Sequence, residues 1–94
     1  MRVRYTLRAQ ADLDSIYAFL DTQAPAAAQS VKTVIERRVA LLAEFPNIAP
    51  ETDEAGVYEL TIIRYPYLVY YEVSGDEVWV LHIRHARRRP WSEE

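Results

Sequence analysis

The sequence predicts an α+β fold: an N-terminal strand, an antiparallel helix hairpin, then a three-stranded antiparallel meander, all forming one mostly antiparallel sheet. Three observations carry this reading. The opening segment alternates with period two, and the middle carries apolar residues at helical spacing. The last third then holds three runs rich in β-branched and aromatic residues, separated by glycine and proline. At 94 residues the chain is expected to be a single domain spanning 1–94.

Each element has its own warrant. In MRVRYTLR, Val3, Tyr5 and Leu7 fall on one face and Arg2, Arg4, Thr6 and Arg8 on the other, as in a half-buried strand. The period changes in AQADLDSIYAFL, where Leu13, Ile16, Tyr17 and Leu20 form one helical stripe. Asp12 and Asp14 fall in or near the first turns, where the helix dipole favours acids. They read as a solvated helix start. Pro25 keeps Ala24 out of helical geometry and suits the first turn of a second helix. That helix is expected over AAAQSVKTVIERRVALLAEF, with Val31, Val34, Ile35, Leu41, Leu42 and Phe45 facing inward and Pro46 ending it. The short link favours an antiparallel pair.

The runs VYELTII, YLVYYEV and VWVLHIRHA read as strands, and Gly75-Asp76 between the last two is a hairpin signal. That turn sets a register in which Ser74 opposes Glu77, Val73 opposes Val78, Tyr71 opposes Val80, and Val69 opposes His82. One face then holds Val69, Tyr71, Val73, Val78, Val80 and His82. The other holds Leu68, Tyr70, Glu72, Trp79, Leu81, Ile83 and His85. Both faces are largely apolar, and two helices must cover them. Either the helices wrap far round, a partner covers the second face, or the tyrosines sit at an edge with their hydroxyls in water.

Composition limits the chemistry. There is no cysteine, hence no disulfide framework and no thiolate site. The opening lacks a signal-peptide core and no apolar run could span a bilayer, so a cytoplasmic, non-membrane protein is expected. The formal charge of −3 argues against sequence-blind nucleic-acid binding. Positive charge nevertheless collects in IRHARRRPW at 83–91, with Arg84, Arg87, Arg88 and Arg89. His82 and His85, three apart on a strand, point to opposite faces and do not share a metal ion. No cofactor motif is present. His85 has two readings: a general base beside phosphate-binding arginines, or a histidine satisfied by backbone at the sheet end. Pro90 favours an exit from the strand near Ala86, after which Trp91 offers a stacking or apolar anchor.

The order of elements, with RAQADLDSIYAFL early and YELTIIRYPYLVYYEVSGDEVWVLHIRHARRRPW late, resembles the RelE/ParE superfamily of type II toxin–antitoxin toxins over nearly the whole chain. The resemblance implies one of two activities. RelE-like members cut mRNA in the ribosome with basic residues and no metal, whereas ParE-like members are DNA gyrase poisons. Where RelE-like chains carry two lysines and an arginine, this sequence has Glu59, Thr61 and Leu68, so the ParE-like reading is favoured. It implies a cognate antitoxin with an extended C-terminal segment, expected on Leu68, Tyr70, Trp79 and Arg87. A target surface is expected at Arg64, Arg84, Arg87, Arg88, Arg89 and Trp91. The alternative is a ribosome-dependent mRNA endonuclease with His85 as base and Arg64, Arg84 or Arg87 on phosphate. A third reading is a non-toxic member kept as an antitoxin-binding module.

Overall fold

The computed structural model describes residues 1–87. Strand β1 (Arg2–Tyr5) leads into helix α1 (Leu7–Gln23) and helix α2 (Pro25–Ala40), which ends in a single 3₁₀ turn at Leu41–Ala43. Three strands follow: β2 (Tyr58–Thr61), β3 (Tyr67–Ser74) and β4 (Glu77–His85). The sheet order is β1-β4-β3-β2, with β1 parallel to β4 and the other pairs antiparallel. This is the predicted α+β arrangement, and it makes β4 a central strand.

Local chemistry sets the helix ends. Thr6 caps α1, its Oγ1 accepting from the Ala9 N–H at 3.1 Å. The helix therefore starts at Leu7. Leu7 was expected to share the strand face of Val3 and Tyr5, but it is 90% exposed in the first helical turn. Ala24, extended at φ −160°, separates the two helices because Pro25 at the start of α2 clashes with a helical residue before it. The inward stripe of α2 is Val31, Ile35 and Val39, continued by Leu42. Phe45 does not join it: the chain tightens into the 3₁₀ turn after Ala40, so the helical register is lost. Phe45 is 53% exposed and Leu41 also faces outward.

The helices pack on one face of the sheet. The core joins Ala9 and Leu13 of α1 and the α2 stripe to Leu60, Ile62, Val69, Tyr71, Val78, Val80 and Ile83. Full burial of each such aliphatic side chain stabilises the fold by about 1.5–3 kcal/mol. Tyr71 lies wholly within this layer, stacked on Tyr58 with centroids 5.4 Å apart. Its hydroxyl donates to the Pro46 carbonyl at 2.8 Å, which satisfies the polar atom that burial would otherwise strand.

The β3–β4 hairpin turns at Gly75-Asp76 and follows the expected register from Ser74–Glu77 as far as Tyr71–Val80. Beyond that the expectation fails. Tyr70 pairs with His82, and Val69 pairs with Ile83 rather than His82. Leu81 is an extra residue, a β-bulge that reverses the facing of everything after it. Ile83 therefore joins the core face, and His82 leaves it for the second face beside Tyr70 and Arg84.

Candidate functional site

β4 is longer than its parallel neighbour. β1 stops opposite Val80, and the start of α1 covers the exposed edge with side chains instead of a strand. Thr6 Oγ1 donates to the Leu81 carbonyl at 3.0 Å. Asp12 Oδ2 accepts from the Ile83 N–H at 3.0 Å and from His82 Nδ1 at 2.7 Å. One carboxylate oxygen thus serves a strand amide and a histidine that is only 3% exposed. A carboxylate oxygen accepts both bonds only if His82 holds its proton on Nδ1.

This corrects the reading of Asp12 as part of a solvated helix start. α1 begins five residues earlier, so Asp12 lies beyond the first turn and faces β4. A signal was present: Ala9, Asp12, Leu13 and Ile16 recur at helical spacing on the buried stripe. Asp14, by contrast, is exposed.

From His82 the polar connections cross the sheet. The His82 ring stacks on Tyr70 at 5.8 Å. Tyr70 donates its hydroxyl to Glu59 Oε2 at 2.9 Å and accepts from Arg84 Nε at 3.0 Å. Burial pushes the Tyr70 phenol up; the Arg84 hydrogen bond lowers it, and Glu59 raises it again. Tyr70 is therefore a protonated, bonded and buried side chain rather than an edge tyrosine in water. Asp12, His82, Tyr70, Arg84 and Glu59 link α1 to β4, β3 and β2.

Beyond this network lies the basic end of the sheet. The Ala86 N–H donates to the Pro66 carbonyl at 2.6 Å, which holds the end of β4 against the β2–β3 turn. That turn carries Arg64 at φ 84°, a left-handed backbone that a side chain disfavours. Arg64 and Arg87 are both exposed, and Ile63 beside Arg64 is 63% exposed. Arg84 is held across the second face, its Nη1 donating to the His85 carbonyl at 3.0 Å and its guanidinium 5.7 Å from the Tyr70 ring. His85, paired with Tyr67 on the other side of β4, meets that ring edge-on at 5.5 Å. The Arg87 N–H donates to His85 Nδ1 at 3.1 Å. Neutral His85 then carries its proton on Nε2, the opposite tautomer from His82.

The structure thus brings Arg64, Arg84, His85 and Arg87 to one end of the sheet. Arg88, Arg89 and Trp91 lie outside the described residues. Leu68, Tyr70 and Trp79 share the second face, but Tyr70 is buried there while Leu68 and Trp79 are half-buried. Trp79 lies under the Arg4 guanidinium at 5.7 Å, and Arg4 pairs with Glu77 at 2.6 Å. Among the described residues no three His, Asp or Glu side chains converge as metal ligands. No helix among them is long and apolar enough to cross a membrane. Between α1 and the end of β4 lies a groove of about 310 Å³, lined by Arg8, Asp12, Phe19, Arg84 and His85 among others.

A central β4 flanked by β1 and β3, with a helix hairpin on one face, is the architecture of the RelE/ParE toxins. The isolated E. coli RelE toxin shares this fold at 16% identity, with a TM-score of 0.66 over 98% of this chain and 92% of that one. The chromosomal ParDE TA system from P. aeruginosa contains a chain that matches at 29% identity and a TM-score of 0.82, covering 93% of this chain and 97% of that one. The family model for the ParE toxin of type II toxin–antitoxin systems, parDE, matches residues 3–90. The chain belongs to this ParE toxin family and is the toxin of a type II toxin–antitoxin system. Its relatives include Y4kP of Sinorhizobium fredii, 35% identical over 94% of this chain and 91% of the relative. Toxin RelE2 of Caulobacter vibrioides is 33% identical over 93% of this chain and 97% of the relative.

Proposed function

We propose that this toxin acts by binding its target through the basic end of the sheet rather than by cutting RNA, and that the target is DNA gyrase. The observation that carries the reading is the state of His85. A general base needs a free ring lone pair, and the lone pair of His85 Nδ1 is occupied by the Arg87 N–H. Neutral His85 offers a donor where the endonuclease alternative needs an acceptor. The residues beside it agree. Glu59 accepts from Tyr70, and Thr61 and Leu68 bring no positive charge to the strands where RelE-like chains have cations. Burial keeps Tyr70 protonated and bonded. The exposed Arg64 and Arg87, with Arg84 behind them, form a cationic surface suited to acidic groups on a protein. Arg88, Arg89 and Trp91 follow directly in the chain and belong to the same proposed contact.

The partner that silences the toxin is a cognate antitoxin whose extended C-terminal segment lies on the second sheet face. Leu68 and Trp79 offer apolar contacts there, on the same face as the buried Tyr70, and Arg87 pairs with carboxylates at the margin. Cytoplasmic action follows from either target.

The deciding experiment runs two assays side by side on the purified chain: gyrase supercoiling and cleavage of ribosome-bound mRNA. Inhibited supercoiling with intact mRNA is the expected result, and His85→Ala should remain toxic. Cleaved mRNA together with a non-toxic His85→Ala variant would establish the endonuclease instead. A folded chain inactive in both assays that still binds antitoxin would identify it as a binding module only.

A further inference from the structure

We propose that the loop after α2, centred on Phe45 and Ile48, is a twofold interface through which the chain binds a second copy of itself. The loop lies at the end of the sheet opposite Arg64 and His85. β1 starts there, with Arg2 opposite Glu77, and the Met1 amine donates to the Ala43 carbonyl at 2.9 Å. None of its residues belongs to the proposed target or antitoxin contacts.

The apolar side chains of this loop are held outward. The buried Tyr71 donates its hydroxyl to the Pro46 carbonyl at 2.8 Å, and Ala49 is buried. Next to these two anchors, Phe45 is 53% exposed and Ile48 48%. Leu41 lies one turn before Phe45, and the Phe45 N–H donates to its carbonyl at 2.9 Å, so the two side chains share a face. Apolar groups on a pinned backbone lose little freedom when they are covered.

Three observations select a second copy as the occupant. The first is shape. Phe45, Pro46 and Ile48 wall a cleft of about 490 Å³, wide enough for a phenyl ring. A protruding ring beside such a cleft is self-complementary: a twofold axis sets each Phe45 into the other copy's cleft, ring against ring. The second is charge. Arg2 and Glu44 flank the loop, are both exposed, and have no ion-pair partner among the described residues. The twofold brings Arg2 of each copy to Glu44 of the other. The third is area. At roughly 200 Å² per fully exposed side chain, Met1, Leu41, Phe45 and Ile48 leave about 400 Å² of apolar surface. A standard interface buries about 800 Å² per partner, a little over half of it apolar, or about 450 Å². The patch therefore supplies nearly the apolar share of one side of a dimer.

The dimer carries two basic ends, one from each copy, so a target with two matching acidic sites is held by both. Self-association does not depend on what that target is, so this proposal and the target proposal fail separately.

Sedimentation equilibrium on the purified chain, from about 1 to 100 μM, tests it. The expected result is a concentration-dependent shift from monomer to dimer. Phe45→Glu should weaken association at least about tenfold. Phe45 is exposed, and circular dichroism confirms the fold of each variant. Arg2→Glu and Glu44→Arg should each weaken association, and the double reversal should recover it. A chain that stays monomeric at the highest concentration overturns the proposal. So does a dimer insensitive to Phe45→Glu, which would place the interface elsewhere, or single reversals whose losses persist in the double variant. A monomeric chain whose antitoxin binding is lost in Phe45→Glu would assign the loop to the antitoxin, and likewise overturns it.

Discussion

The two faces of β4 solve different problems with alternating residues of one strand. Val78, Val80 and Ile83 enter an apolar layer shared with both helices. Their stabilisation is additive, non-directional burial. His82 and Arg84 enter a chain of hydrogen bonds and ring contacts running from Asp12 to Glu59. That side is directional, and each bond depends on the last. The first face should tolerate shape-preserving changes and punish cavities. The second should tolerate little loss of polarity at Asp12 but accept much change at its rim.

The contrast is sharpest at Ile35, wholly buried against the sheet. Ile35→Ala should cost about 2–5 kcal/mol, read as a lower denaturant midpoint. A loss below about 1 kcal/mol would mean the helix layer collapses around cavities and is not close-packed. Next comes Asp12→Ala, which strands the Ile83 amide and His82 Nδ1. It should cost about 1–3 kcal/mol, with the Ile83 amide losing hydrogen-exchange protection. Asp12→Asn, which keeps one acceptor, should recover part of the loss. Equal losses in the two variants would break the claim that direction matters on this side.

Arg64 inverts the sign. Arg64→Gly removes a side chain from a left-handed backbone and should raise stability by about 1 kcal/mol or less, since glycine also gains freedom in the unfolded chain. The same change should weaken target inhibition, because the strained residue is an exposed cation of the proposed contact. A melting temperature that rises while inhibition stays unchanged would leave the strain without that use. The smallest effect is expected at the rim. Arg4→Ala removes an ion pair with Glu77 and a cation on Trp79. With Arg4 well exposed, the loss should be under about 1 kcal/mol and should shrink in high salt.

The tyrosines give a further test of burial. Burial raises the Tyr71 phenol on the core face and the Tyr70 phenol on the polar face. The folded state therefore keeps protons that the unfolded state releases above about pH 10. The sign follows from linkage: the tyrosine contribution to stability is constant below that pH and is lost as pH rises above it. Tyr71→Phe should make the alkaline loss shallower in pH-resolved denaturation. An unchanged slope would assign the loss to other groups.

Much of this molecule follows from local sequence, because local physics fixes it. Period-two and helical spacing place β1, α1, α2 and the meander, and the backbone restriction before Pro25 divides the helices. Gly75-Asp76 fixes the first four pairs of the hairpin. The failures at β4 and Asp12 depend on neighbours distant in sequence, whereas Leu7 and Phe45 depart for local reasons, the cap at Thr6 and the 3₁₀ turn after Ala40. A one-residue bulge at Leu81 leaves no mark in an apolar run, yet it exchanges Ile83 for His82 on the core face. Asp12 lies on the inner stripe of its helix, but its partners are 70 and 71 residues away. His85 reads as a possible base until a backbone amide two residues later is found on its lone pair. The sequence by itself determined the class of fold, the family and the concentration of arginine near 84–89. Only the tertiary structure decided which histidine is tied to a carboxylate, which faces the basic end, and which proton each carries. Spacing along a chain encodes facing only while the strand stays regular, and hydrogen-bond partners across the sheet are set by register.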